Sequence, residues 1–98
     1  MNDMPGIVRL NDKCTGHSCY PPRLCITASD DVFVEGKAVH REHDKWAMHA
    51  CPNTLPHDGV LAKGSSTVYA NGKAIARIGD PISCGSKTRD GSQTVFAG

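Results

Sequence analysis

Val32-Phe-Val-Glu-Gly-Lys-Ala-Val-His-Arg41 and Val68-Tyr-Ala-Asn-Gly-Lys-Ala-Ile-Ala-Arg77 align without a gap, with five of ten positions identical. Phe/Tyr and Val/Ile are near-equivalents at two more. Each stretch reads as a β-hairpin. Val-Phe-Val and Val-Tyr-Ala are short strands of β-branched and aromatic residues. Glu35-Gly36 and Asn71-Gly72 are two-residue turns in which glycine supplies the positive φ, and Asn-Gly is the strongest short hairpin signal. Lys-Ala-Val-His-Arg and Lys-Ala-Ile-Ala-Arg are the returning strands. A truncated third copy ends the chain: Gly64-Ser-Ser-Thr-Val-Tyr-Ala70 matches Gly91-Ser-Gln-Thr-Val-Phe-Ala97, with Ala28-Ser-Asp-Asp-Val-Phe-Val34 as the divergent first member. One isolated hairpin is marginal in water, but copies around a shared axis bury their inner residues together. The expectation is a small all-β domain with little or no helix.

The composition agrees. The chain has 98 residues, ten glycines, six prolines and only five aromatic side chains, Phe33, Phe96, Tyr20, Tyr69 and Trp46. This is room for one domain, 1–98, with a thin core. It disfavours a helical bundle or a large α/β enzyme. Lys+Arg number 11 against Asp+Glu 10, with no basic block, so no nucleic-acid partner is expected. No apolar run reaches the ~20 residues of a bilayer span. The opening Met-Asn-Asp-Met-Pro-Gly has no cationic stretch followed by an apolar one, so the reading is synthesis in the cytoplasm without a signal peptide.

Five cysteines (Cys14, Cys19, Cys25, Cys51, Cys84) accompany five histidines (His17, His40, His43, His49, His57). The odd cysteine number makes a disulfide framework the weaker reading. A metal ion is the stronger one, since structural zinc contributes about 10–16 kcal/mol in small peptides near neutral pH. A second repeated element locates it. Arg9-Leu-Asn-Asp-Lys-Cys-Thr-Gly-His17, Arg41-Glu-His-Asp-Lys-Trp-Ala-Met-His49 and Arg77-Ile-Gly-Asp-Pro-Ile-Ser-Cys84 share an Arg-x-x-Asp start. Each then carries a metal-capable side chain at nearly the same offset. His17, His49 and Cys84 converge if the copies surround one axis, leaving a tetrahedral site one ligand short.

These repeats, 28–44, 64–86 and 91–98, resemble the PAAR-repeat family, the tips of contractile injection machines: type VI secretion systems and contractile phage tails. The tetrapeptide Pro-Ala-Ala-Arg is replaced by Ala38-Val39-His40-Arg41 and Ala74-Ile75-Ala76-Arg77. The resemblance implies a small cone of hairpins with pseudo-three-fold repetition around one structural zinc ion near its apex, bound by three His and one Cys. It also implies a base that caps a trimeric β-helical spike, VgrG-like or a phage central spike, one tip per trimer. Such a tip sharpens the spike, helps pierce the target envelope in transient contact with its membrane, and is delivered outside or into the target cell. Some members carry fused toxins; this chain reads as a bare tip without toxin extension. Carriage of a cargo effector stays open, as does the choice between phage tail and type VI apparatus.

For the fourth ligand His57, in Pro56-His57-Asp58-Gly59, is preferred, and the family often has a His there. Cys51 competes, because His49-Ala-Cys51 and His17-Ser-Cys19 place two ligand types at i, i+2. A closed His3Cys set favours structural Zn2+ over catalytic zinc, and zinc is preferred over iron. His40, aligned with Ala76, reads as packing, and His43, aligned with Gly79, as an exposed turn. Cys14 and Cys25, without counterparts among the repeats, read as free, partly buried thiols. Trp46 reads as core, and Asp12, Asp44 and Asp80 as turn caps. Val32, Phe33, Val34, Val68, Tyr69, Ala70, Val95, Phe96 and Ala97 are expected near the face that docks the spike, by strand addition. A metalloenzyme is disfavoured, since no His-Glu-x-x-His signature occurs. The remaining competitor is a zinc-stapled interaction or adaptor module, for example an effector carrier.

Overall fold

The computed structural model describes residues 4–98. Met1–Asp3, part of the opening read above as lacking an export signal, lie outside the described residues. Among the described residues the elements are six short strands in three antiparallel pairs: β1 (Phe33–Val34) with β2 (Lys37–Ala38), β3 (Lys45–His49) with β4 (His57–Val60), and β5 (Tyr69–Ala70) with β6 (Lys73–Ala74). The two aligned stretches are therefore hairpins, β1–β2 and β5–β6. Their turns hold Glu35 at φ 56° and Asn71 at φ 55°, each followed by a glycine at φ 79° and 76°. The positive φ at both central positions is what the Asn-Gly type of turn requires.

The truncated third copy is completed by the other end of the chain. Val39 N–H donates to Val32 O and Ser29 N–H to Val39 O, and Ile75 does the same with Val68 and Ser65. In the third copy Ile7 N–H donates to Val95 O (3.0 Å) and Ser92 N–H to Ile7 O (2.8 Å). Ile7 thus stands where Val39 and Ile75 stand, and residues 6–9 are the missing returning strand. The next residue in each copy closes a ring. Val8 N–H donates to Ala76 O, Ala76 N–H to His40 O, and His40 N–H to Val8 O, at 3.0, 2.9 and 2.9 Å. Three chain copies therefore surround one axis, and no copy's backbone is satisfied without the other two.

Side-chain capping repeats with the same symmetry. Ser29, Ser65 and Ser92 are all buried, and each hydroxyl accepts the N–H groups two and three residues on. Each Arg-x-x-Asp element is a turn in which the Asp carboxylate accepts the Arg backbone N–H, at 2.8, 2.9 and 2.7 Å for Asp12, Asp44 and Asp80. The expected capping role is met. The same carboxylates also pair with the guanidinium of their own Arg. The third residue of each turn, Asn11, His43 or Gly79, has φ of 73°, 72° and 93°.

Two apolar clusters line the axis. One holds Ile7, Val39 and Ile75 with Val34, Ala70 and Ala97, flanked by Val32 and Val68. The other holds Val8, Ala76, Cys14, Trp46, Ile82, Cys25 and Leu61, and Cys84 packs against it. Cys14 sits five residues after Arg9, as Trp46 and Ile82 sit after Arg41 and Arg77. Cys25 and Leu61 likewise match Thr88: their N–H groups donate to Asp12, Asp44 and Asp80 carbonyls. The expectation that these cysteines lack counterparts is corrected here. The alignment hid it because Cys, Trp and Ile share only apolarity. Both are free and fully rather than partly buried.

Candidate metal centre

Between the two tiers of each copy runs a return loop: 14–25 in the first, 46–61 in the second and 82–88 in the third. Each loop starts and ends at equivalent bridges, Cys25 with Trp46, Leu61 with Ile82 and Cys14 with Thr88, so all three emerge side by side. The first presents His17 and the third Cys84. The second is the longest and folds back as β3–β4, presenting two imidazoles: His49 ends β3, His57 opens β4, and they are register partners. One ligand atom from each of His17, His49, His57 and Cys84 lies within 4.8 Å of the others.

The three imidazoles meet through Nε2. The separations are 3.2 Å for His17–His49, 2.9 Å for His17–His57 and 2.7 Å for His49–His57. Zn–N bonds of about 2.0–2.1 Å in a tetrahedron put neighbouring nitrogens about 3.3 Å apart, so small outward shifts accommodate an ion. His49 is buried, and its Nδ1 lies 2.9 Å from Pro21 O. Nδ1 must carry the proton there, which turns the Nε2 lone pair into the cluster. Burial, then repulsion from His49 and His57, holds His17 below the ordinary imidazole range. Three imidazoles and a thiol converging on one point make a donor set that could bind a metal ion.

Other residues fall where packing sends them. His40 is fully buried on the axis, its Nδ1 donating to Thr27 O (2.8 Å) and its ring edge-on to Trp46. His43 is exposed at its turn. Cys51 is not in the cluster: it forms a disulfide with Cys19. The expectation against disulfides is corrected for this pair. The repeated His-x-Cys spacing was the signal; equivalent positions on two adjacent loops face each other, so the two sulfurs meet while the two histidines turn inward. Sequence reasoning also missed Tyr20. Its ring centroid lies 4.8, 4.9 and 4.2 Å from those of His17, His49 and His57, and its hydroxyl donates to Leu55 O (2.9 Å).

Fold and site together define a class: a small all-β domain of repeated hairpins closed around one axis, with a His3Cys cluster where its loops converge. The model of the PAAR motif family matches residues 15–88. The chain belongs to that family. Among its relatives are the NAD(P)(+) glycohydrolase toxin Tse6 of Pseudomonas aeruginosa PAO1 and the (p)ppApp synthetase toxin Tas1 of strain UCBPP-PA14. Each is 34% identical over 76 residues, covering 78% of this chain. The double-stranded DNA deaminase toxin A of Burkholderia cenocepacia H111 is 32% identical over 71 residues, 72% of this chain. The matched segments are only 16%, 15% and 5% of those proteins.

Proposed function

We propose that this chain is the structural tip of a contractile injection machine, seated on a trimeric β-helical spike, with no catalytic role. One observation carries the reading: three copies within one chain close a ring, so a monomer offers a trimer three similar faces. A partner with three-fold symmetry repeats each contact three times. The equivalent aromatics Phe33, Tyr69 and Phe96 support a docking role, being exposed at 56%, 58% and 42%, as buried aromatics dominate interfaces. We assign the docking face to the segments Val32–Val34, Val68–Ala70 and Val95–Ala97, offered through Phe33, Tyr69 and Phe96 while the Val34, Ala70 and Ala97 side chains stay in the core, and delivery outside or into a target cell by the secretion apparatus.

The metal in this reading is one structural Zn2+ held by His17, His49, His57 and Cys84. The three loops share the second apolar cluster at their ends, and a closed four-ligand set would tie them together beyond it. Co-purification with a trimeric spike protein tests the docking half. Wild-type chain is expected to bind at one tip per trimer. Val68→Asp is expected to lose the trimer, with some loss of stability because Val68 flanks an apolar cluster; the triple Phe33→Ala, Tyr69→Ala, Phe96→Ala variant at exposed positions is expected to lose the trimer while keeping the melting temperature. Retained binding by both overturns the assignment. The toxin names of the relatives favour a second role for the same tip, that of carrying an effector to the target.

A further inference from the structure

We propose that Tyr20 is a positioning residue of the metal centre: its ring covers the three imidazoles, holds them on one point and slows loss of the ion. This rests on the metal reading above. A single ring within 4.9 Å of three histidine rings has no counterpart in the other copies, where Pro52 and Lys87 or their neighbours occupy the loops. Tyr20 is not itself a ligand, because its hydroxyl is turned to Leu55 O in the loop joining His49 to His57.

The segment 19–21 is fastened to the cluster at every residue. Cys19 is bridged to Cys51, two residues beyond His49. The Tyr20 backbone exchanges both hydrogen bonds with His17, N–H to O at 2.8 and 3.0 Å. Pro21 O accepts the His49 Nδ1 proton. The ring is therefore held over the imidazoles rather than left to swing. A divalent ion draws positive charge onto its imidazoles, and an aromatic face beside them is attracted to that charge. The same face excludes the water or chelator that must enter before an ion leaves.

The test uses the full chain loaded with Zn2+, following release to excess chelator, and a Co2+-loaded sample read by its visible absorption. Tyr20→Ala is expected to release the ion about tenfold faster, while Tyr20→Phe stays within about twofold of wild type, since outer groups around metal ligands commonly tune affinity 10–100-fold. The Co2+ band of Tyr20→Ala is expected to weaken as water joins the site. Tyr20→Leu, which keeps bulk without a ring, replaces the alanine variant if that one does not fold, with the same expectation. Asp44→Ala, which removes the cap of the Arg41 turn, controls for general destabilisation. Release unchanged by loss of the ring, or accelerated equally in Asp44→Ala at matched melting temperature, overturns the covering role alone. A wild-type chain that takes up neither ion overturns the metal reading and this inference with it.

Discussion

His49 and His57 face one another across the β3–β4 hairpin with their Nε2 atoms 2.7 Å apart. A bulge makes this possible. Lys45 pairs with Val60 and Trp46 with Gly59, and continuing that register would set His49 opposite Pro56; the shift between Trp46 and His49 brings in His57 instead. One extra residue thus re-aims a side chain, as bulges do next to functional sites. Gly59 lies at the other side of the same hairpin, where an added Cβ would come within 3.3 Å of Cys84 Cβ.

That pairing makes His57 the candidate for the fourth position of the cluster. His57→Ala is expected to lower metal per chain, measured by emission spectroscopy after chelator challenge, and to depress the melting temperature. Cys51→Ser is expected to keep the ion. Equal metal in His57→Ala and wild type would exclude His57 from the donor set.

Reduction of Cys19–Cys51 is expected to cost stability without releasing the metal outright. The bridge closes a segment with sequence separation 32, for which loop-closure entropy predicts about 3–4 kcal/mol as an upper figure. Calorimetry of zinc-loaded protein with and without a phosphine reductant reads the difference. An unchanged melting point would mean that the bridge constrains little the metal does not already hold.

His43 occupies a left-handed turn position where its sister copy has Gly79. A side chain there is strained, and glycine is not. Its contact with Glu42 is 3.7 Å and solvent-exposed, and such pairs contribute little. His43→Gly is therefore expected to raise stability by about 1 kcal/mol in denaturant titration. A loss of stability would show that the exposed imidazole does more than fill a turn.

His40 predicts a pH dependence. Desolvation on the axis lowers its pKa to about 4, a hydrogen bond to Thr27 only partly opposing it. The unfolded chain therefore binds the proton first. Stability from this group is full above about pH 6.5 and declines as pH falls toward 4, by at most about 3 kcal/mol. The informative quantity is the difference between wild type and His40→Ala. The variant is expected to show the shallower slope of stability against pH between 4 and 6.5, though it starts lower because a cavity replaces the ring. Parallel slopes would remove His40 as a cause.

The hairpins were legible because each rests on local signals: β-branched and aromatic pairs flanking Glu35-Gly36 and Asn71-Gly72. The turn carboxylates Asp12, Asp44 and Asp80 were legible for the same reason, since each caps an N–H three residues away. His17, His49 and Cys84 could be brought together from spacing because the repeats carry them at matching offsets. Cys14 and Cys25 were not legible as repeat positions, since burial accepts Cys, Trp, Ile, Leu or Thr at one place if the volume can be shared.

The amino-acid order by itself determined a repeated all-β chain with turns at set places and with metal-capable side chains after each Arg-x-x-Asp turn. Tertiary structure alone decided that residues 6–9 complete the third copy, that Cys19 meets Cys51, and that Tyr20 lies over three imidazoles. Those contacts join residues 32 to about 90 positions apart or cross between loops of unequal length. Backbone preference reaches only a few residues along the chain, so such meetings exist only once the ring of Val8, His40 and Ala76 has closed.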